Sequence, residues 1–555
     1  VYIGRNQRSC LRHEDPEMKH TTTAILAAAI FVAPLGVATA LAQSSSQTAS
    51  IVVSADKPGV TISREIFGQF TEMLGEGVYG GIWVGKDSKI PNVRGIRADV
   101  VAALRAIHVP VVRWPGGCFA DQYNWRNGIG PAQARASTVN FWGNVVEPNT
   151  FGTDEYMDFI DQIGSEAYIS ANVGSRTPAE AAEWLEYLTT DQPSTLGKLR
   201  VANGHPKPYK IKYLGIGNES WGCGGGMNGD RYMDEYKRFA TFIRNMNPAQ
   251  NGAIPFVKSK DAMQKIAVGP ESDKTEYTES VMKALSQRQP YSWDIDGLSL
   301  HFYTGGSKGV LQSPATDFGE PEYAASLKNT LRMEDLIGIH TAIMDKYDPK
   351  KQVGLLVDEW GLWATPDKGT NFMFMRQQGS LRDAIVAALN LNIFARHADR
   401  VRMANIAQMA NVIHALILTD KEKMLLTPTY HVYKLYVPFQ DAQLLPLTLP
   451  PVRYTVGDVT LPQIDGIAAR AKDGGVWLAL TNTDANQVVE LAAAVAGLSA
   501  NSASGNVLTA PKVDSVNTFG DSNAVATKTV HFEASGGKLV LRLPPKSVTV
   551  VRLNP

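Results

Sequence analysis

The chain of 555 residues holds only three cysteines, and no two of them form a Cys-x-x-Cys. A zinc ribbon and a dithiol redox motif therefore have no support. Its ten histidines are scattered without the His-x-x-x-His spacing of a zinc site, so no metal is expected. Charge of one sign is also lacking. Lys plus Arg and Asp plus Glu both number 54, the formal net charge is zero, and no dense basic run occurs. A nucleic-acid partner would want a basic chain or patch, whereas a neutral ligand such as a sugar suits this balance. Gly224-Gly225-Gly226 lacks the Gly-Lys-Ser/Thr ending of a phosphate loop, and there is no Gly-x-Ser-x-Gly nucleophile elbow. No cofactor is expected.

Long apolar runs are missing except for Ala24–Ala42, which follows Met18-Lys19-His20 and ends Ala40-Leu41-Ala42. A charged start, an apolar stretch and an A-x-A ending read as a signal peptide. Residues 1–42 are thus expected to be an upstream leader and signal, starting at Met18 and cleaved after Ala42. Pro34 and Gly36 interrupt the run and weigh against a membrane anchor. The expected destination is export to the periplasm or the medium, with no stable membrane span after cleavage. Export would permit a disulfide between Cys118 and Cys223, and two small, partly buried thiols explain them equally well.

The length calls for two domains or more. Residues 43–65 read as a Ser-rich linker followed by a strand, Ser50–Ala55. From 66 to about 430, short apolar β-branched runs alternate with amphipathic stretches such as Tyr232–Met246 and Leu381–Ala395. The runs are Ile66–Phe70, Val111–Trp114, Tyr168–Val173, Ile211–Gly217, Ile266–Gly269, Gly297–His301, Gly354–Asp358 and Val401–Gln408. Parallel strands buried on both faces read as continuous apolar runs, so eight such units predict an α/β fold, a (β/α)8 TIM barrel. An open doubly wound sheet would want a Gly-rich turn after its first strand, and Gly68-Gln69-Phe70-Thr71 is not one. From 431 to 555, Pro-rich turns separate short strand-like runs, which predicts an all-β sandwich. The strand at 50–55 is a candidate to join it. The Ala-rich stretch near Val489–Leu498 alone keeps a helical texture.

Reactive residues of such a barrel lie at the C-terminal ends of its strands. The fourth run delivers Asn218-Glu219-Ser220-Trp221, and the seventh delivers Asp358-Glu359-Trp360. Two carboxylates flanking a glycosidic bond, one protonated and one ionised, are the usual means of hydrolysing it. Tryptophans beside them suit the apolar faces of sugar rings. A single Glu at a strand end is more often a solvated or capping residue. Two Glu-Trp pairs on strands four and seven, opposite each other, favour chemistry. His301 and Tyr303 after the sixth run, and Glu72 after the first, either line the site or merely fill a polar barrel mouth.

These residues resemble glycoside hydrolase family 51, the α-L-arabinofuranosidases. The resemblance rests on Thr71-Glu72-Met73-Leu74-Gly75, Arg113-Trp114-Pro115-Gly116-Gly117, Phe151-Gly152-Thr153-Asp154-Glu155, Gly217-Asn218-Glu219-Ser220-Trp221, Ser299-Leu300-His301-Phe302-Tyr303 and Ala404-Asn405-Ile406-Ala407-Gln408, in order along the chain. It implies a barrel with a C-terminal β-sandwich, with Glu219 as catalytic acid/base and Glu359 as nucleophile. Asn218 would bind the 2-hydroxyl, Tyr303 would orient the nucleophile, and Glu72 and Gln408 would bind arabinose hydroxyls. Trp142 would flank the sugar, and Arg113 and His301 would support the site. Many members carry Asn where this chain has Cys118, a poorer hydrogen-bond donor at a substrate-binding position. The resemblance implies exo-acting, retaining release of terminal α-L-arabinofuranosyl groups from arabinoxylan, arabinan or their oligosaccharides. Homo-oligomers are common among relatives, though no interface is legible in the residues. Two rival readings stay open: an endo-β-1,4-glucanase or β-xylosidase of the same build, and a non-catalytic carbohydrate-binding protein.

Overall fold

The computed structural model describes residues 49–252, 258–289, 292–536 and 538–555. The expected leader and signal peptide lie outside the described residues. Among these residues no helix is long and apolar enough to cross a membrane.

Eight parallel strands close into a barrel in chain order. They are β1 (Gly68–Phe70), β2 (Val111–Trp114), β3 (Glu166–Ala171), β4 (Tyr213–Ile216), β5 (Gln264–Ala267), β6 (Gly297–Thr304), β7 (Gly354–Leu362) and β8 (Val401–Ala407). Closure comes from β8 pairing with β1, Ala407 opposite Phe70. The strands are apolar on both faces because one face meets helices and the other fills the barrel. Val111, Tyr168, Tyr213, Ile266, Leu356 and Met403 pack together as one interior layer. The first apolar run splits locally. Arg64–Phe67 forms a short 3-10 turn capped by Ser63, and only Gly68–Phe70 is strand.

One irregularity in β7 matters for everything at the barrel mouth. Along β6, Ser299 and His301 are two residues apart, yet their partners Leu356 and Glu359 are three apart. The same extra residue appears against β8, where Val357 faces Ala404 and Trp360 faces Ile406. This is a β-bulge, which shifts the alternation of side chains by one.

The helix Leu381–Arg396 is buried along nearly its whole length. It packs on β7 on one side and on Ile464–Arg470, Val476–Asn482 and Ser547–Asn554 on the other. Those strands belong to a second sheet of ten strands. Ala49–Ser54 joins that sheet, parallel to Val489–Ala496 and antiparallel to Leu447–Thr448. The sheet folds over a separate core in which Ile51, Val53, Leu478, Leu491, Leu541 and Val551 meet. The Ala-rich stretch with helical texture is in fact the strand Val489–Ala496, paired on both edges. Intrinsic helix propensity is a weak prior, and two hydrogen-bonded neighbours override it.

Candidate active site

The bulge brings two adjacent acids to the same side of β7. Asp358 accepts from Tyr168 Oη at 2.7 Å and lies 3.1 Å from His301 Nε2. Glu359 accepts from Arg113 Nη1 at 2.6 Å and from Tyr303 Oη at 2.9 Å. Both acids are nearly inaccessible, as is Arg113. A buried carboxylate is tolerable only when paired and hydrogen-bonded. Arg113 meets that need, resting its guanidinium between the rings of Phe70 and Tyr168. Burial raises the Asp358 carboxyl, but Arg113, His301 and Tyr168 outweigh it and hold the group below its ordinary value.

Glu219 stands on a sharp turn after β4, at a left-handed φ of 38° that follows Gly217 at 90°. Asp121 pins this turn. Its carboxylate accepts from the backbone N–H of Asn218 at 2.9 Å and from those of Val173 and Gly174. Gly224 makes the turn feasible, because a Cβ there would come within 1.8 Å of the Asn218 carbonyl oxygen. Arg113 Nη2 donates to Asn218 Oδ1 at 2.6 Å. A guanidinium only donates, so this bond fixes the amide orientation, and Nδ2 donates to Cys223 Sγ at 3.7 Å. Glu219 Oε1 lies 2.9 Å from His301 Nδ1. Its side chain keeps 18% of its surface accessible. Burial, together with the Glu359 charge, raises the Glu219 carboxyl against the pull of His301 and Arg113. Burial opposes the His301 cation, but the Glu359 charge and the bonds to Asp358 and Glu219 push the imidazole up to about 10.

Glu72, Trp142 and Gln408 form the opposite wall. Glu72 Oε1 accepts from the Phe119 N–H at 2.8 Å and from Trp142 Nε1 at 3.1 Å. The Glu72 N–H donates to Gln408 Oε1 at 2.9 Å. Burial and the Glu359 charge push the Glu72 carboxyl up to about 7. Gly117 runs between the acids, and a Cβ there would sit 3.0 Å from Glu72 Oε2 and 3.3 Å from Glu359 Oε1. The open space between the carboxyl groups therefore depends on glycine at 117.

All ten residues singled out in the sequence stand at one end of the barrel. Cys118 and Cys223 are joined as a disulfide. Both sulfurs touch Glu219 Oε2, at 3.8 and 3.6 Å. A disulfide carries no proton, so these are contacts and Cys118 offers no S–H to a ligand. Asp358, Asp121 and Tyr168 were not picked out from the sequence. The expectation that each Glu sits beside a sugar-facing Trp is corrected on β7. Trp360 is fully buried and points away from the barrel interior, edge-on to Phe394 of the helix Leu381–Arg396. The tryptophans that flank the acids are Trp142 and Trp363, the latter 4.9 Å from the Tyr303 ring.

Among the described residues, ligand atoms of Glu219, His301 and Glu359 lie within 4.8 Å of one another, as do those of Cys118, Glu219 and Cys223. The second group contains no thiolate, since both sulfurs are spent in the disulfide. In the first, Arg113 already occupies Glu359 Oε1. A cation there opposes binding of a second one.

The sequence model of the α-L-arabinofuranosidase 1 domain matches residues 103–294, and that of the α-L-arabinofuranosidase C-terminal domain matches residues 358–547. An enzyme of Bacteroides ovatus named as an intracellular exo-α-L-arabinofuranosidase is 41% identical over 95% of this chain and 100% of its own. The chain belongs to the α-L-arabinofuranosidases of glycoside hydrolase family 51. The solved family 51 arabinofuranosidase of Xanthomonas axonopodis pv. citri is 46% identical, with a TM-score of 0.86 over 91% of this chain and 100% of its own. The arabinose complex of the Thermotoga maritima enzyme is 30% identical, with a TM-score of 0.77 over 91% of this chain and 99% of its own. Family membership makes this an arabinofuranoside-cleaving glycosidase, and the glucanase, xylosidase and binding-protein readings are not favoured. The expected export is corrected by the same comparison. The Bacteroides ovatus relative is named as intracellular, and assignment to the periplasm or medium is withdrawn.

Proposed function

We propose that this arabinofuranosidase acts from chain ends with retention, through Glu359 as nucleophile and Glu219 as acid/base. The observation that carries the reading is the contrast between the two acids. Oxygens of Glu219 and Glu359 approach within 4.8 Å, in keeping with the ~5–5.5 Å spacing of retaining enzymes rather than the ~6.5–9.5 Å of inverting ones. Glu359 receives a guanidinium at 2.6 Å and a hydroxyl at 2.9 Å, one on each oxygen, which hold the group that must attack in a fixed orientation. Glu219 is raised by burial, which favours the acid that must donate.

In the first half-reaction, Glu359 bonds to the anomeric carbon while Glu219 gives its proton to the departing oxygen. In the second, Glu219 takes a proton from water, and the hydroxide replaces Glu359. The Asn218 amide, which also meets Cys223 Sγ at 3.7 Å, has a second Nδ2 hydrogen that suits the 2-hydroxyl. Glu72 and Gln408 suit the remaining hydroxyls, with Trp142 beside them. The substrates would be terminal α-L-arabinofuranosyl groups of arabinoxylan, arabinan or their oligosaccharides. The proposal takes 66–430 as the catalytic barrel and 431–555, with the strand from 43–65, as an accessory sheet domain.

The test is nitrophenol release from 4-nitrophenyl α-L-arabinofuranoside by wild type, Glu219→Ala and Glu359→Ala, beside the β-D-xyloside and β-D-glucoside. Turnover should collapse in both variants. Azide should restore Glu219→Ala with an arabinosyl azide of retained configuration, from attack on the glycosyl-enzyme in place of water, whereas any azide product of Glu359→Ala should be inverted, from direct attack out of the vacated nucleophile space. An inverted azide from Glu219→Ala, a retained azide from Glu359→Ala, or an unimpaired variant, would overturn the assignment.

A further inference from the structure

The bulge in β7 sets Asp358 beside the nucleophile, and no role in the reaction has been given to it. Its nearest polar neighbour toward the site is His301, whose ring nitrogens both face carboxylate oxygens. Nε2 lies 3.1 Å from Asp358 Oδ1 and Nδ1 lies 2.9 Å from Glu219 Oε1. Glu359 Oε1 is farther from Nδ1, at 3.6 Å. The second oxygen of Asp358 is taken by Tyr168 Oη at 2.7 Å, with Arg113 Nε at 3.8 Å.

An ionised carboxylate only accepts hydrogen bonds. Facing Asp358, His301 must therefore carry a proton on Nε2 in every charge state. The neutral ring then has a single available tautomer, with the Nδ1 lone pair directed at Glu219. The 2.9 Å contact must contain one proton, held either by the Glu219 carboxyl or by the imidazolium.

We propose that Asp358 is a positioning residue for the acid/base: by holding the Nε2 proton of His301 it commits Nδ1 to one proton shared with Glu219, and so sets how tightly the catalytic proton is held. The proposal rests on Glu219 acting as acid/base. Glu219 passes the shared proton to the departing oxygen and recovers one from water, so Asp358 and His301 end each cycle as they began. The charged and titratable groups facing His301 are Glu219 from the turn after β4, Asp358 and Glu359 from β7, and Arg113 from β2. Tyr168 and Tyr303 reach it through Asp358 and Glu359, and Glu72 stands behind Glu359. Glu271, which bridges His301 through its backbone, is itself exposed. Arg113 is shared by Glu359 at 2.6 Å and Asp358 at 3.8 Å, so one cation against two carboxylates leaves a net negative charge beside the ring, with Asp358 the carboxylate on its far side. Two interacting groups that share a proton titrate as a pair, and a fixed negative charge beside the pair raises its affinity for that proton.

The experiment is the pH profile of kcat/KM for wild type, Asp358→Asn and Tyr168→Phe on two arabinofuranosides, one with a 2,4-dinitrophenyl and one with a methyl leaving group. Asn keeps the shape and can still accept from Nε2–H, while its amide hydrogens meet Tyr168, so mainly the charge is lost. The basic limb of Asp358→Asn should move down by about one pH unit or more. The methyl glycoside, which needs a proton donor, should lose at least about tenfold more activity than the dinitrophenyl one, which needs little. Tyr168→Phe, which removes a hydrogen bond and keeps the charge, should move the limb less. An unmoved limb in folded Asp358→Asn, or equal losses on both substrates, would overturn the dyad. If wild type cleaves neither arabinofuranoside, it is the functional reading that fails. Should Asp358→Asn not fold, the 15N shifts of His301 in wild type, assigned with His301→Gln, decide the point. A protonated Nε2 throughout the titration is expected, and a neutral ring protonated on Nδ1 would refute the proposal.

Discussion

The substitution Glu72→Gln tests the electrostatics of the cleft without requiring turnover. The folded protein pushes the Glu72 carboxyl from 4.5 to about 7, through burial first and the Glu359 charge second. A carboxyl raised on folding adds stability that is fully present below its unfolded value and is lost as pH rises through its folded value. The window is thus pH 4.5 to about 7. The gap, 7 − 4.5, is about 2.5 units, and at ~1.4 kcal/mol per unit it amounts to about 3 kcal/mol. The amide of the variant would be neutral throughout and would keep the acceptor that Phe119 and Trp142 use. The variant should therefore gain on wild type by about 3 kcal/mol across the window and by nothing further above it. For a chain of this length the unfolding entropy is ~1 kcal/mol per degree, so the gain is ~3 °C in Tm. Calorimetric scans of both proteins at one scan rate, from about pH 4 to about pH 8, isolate the effect, because titrations common to both cancel in the difference. A Tm difference that stays flat, or that shrinks with rising pH, would mean that Glu72 is ionised throughout and that burial does not govern this wall of the site.

Tyr303→Phe removes one of the two donors on Glu359 and leaves the packing against Trp363. A hydrogen bond to a charged group is worth ~1.5–3 kcal/mol, so kcat for the nitrophenyl arabinofuranoside should fall roughly ten- to a hundredfold. The fall should come with little change in Tm. Gly224→Ala would force a Cβ to within 1.8 Å of the Asn218 carbonyl oxygen and 2.7 Å of Asp121 Oδ2. The Asn218-Glu219 turn must move, which should cost about a hundredfold in kcat/KM for a shift near ~1 Å, at ~1–3 kcal/mol in stability. Thiol titration of the denatured protein should find two fewer thiols without reductant than with it, because Cys118 and Cys223 are bonded to each other. An equal count would remove the disulfide.

Eight barrel strands are legible because burial on both faces writes itself as unbroken apolar runs, such as Val111–Trp114 and Gly354–Val357. Residues directly after those runs fall at the barrel mouth, so Glu72, Asn218, Glu219 and the His301–Tyr303 segment can be found by position alone. Trp142 and Gln408 need the family resemblance. Trp142 belongs to a hairpin of short strands, Thr138–Asn140 and Val145–Glu147, whose exposed valines show no core-facing pattern. Asp121 escapes because it lies in a short 3-10 turn, Cys118–Gln122, and acts at a distance by accepting from three backbone N–H groups of other loops. Such a residue has no local signature. The Ala-rich strand Val489–Ala496 is misread because its partners lie far away in sequence, at Lys538–Leu543 and Ala49–Ser54.

Asp358 is hidden for a sharper reason. In a regular strand, neighbours point to opposite faces. Val357-Asp358-Glu359-Trp360 read that way lets Asp358 face the barrel only with Trp360, or Glu359 only with Val357. Either choice fails. Glu359 must face inward to meet Arg113 and Tyr303, while an ionised Asp358 turned outward would meet the apolar helix Leu381–Arg396. The bulge resolves the conflict by letting Leu356, Asp358 and Glu359 all face the interior, while Trp360 turns outward onto Phe394. It also explains the buried Arg113, since two adjacent inward carboxylates need a cation with several donors. Arg113 serves the Glu359 carboxylate, the Asp358 backbone carbonyl and Asn218 at once. One inserted residue in β7 thus links Glu359, the group facing His301 Nε2 and the Asn218 amide beside Glu219.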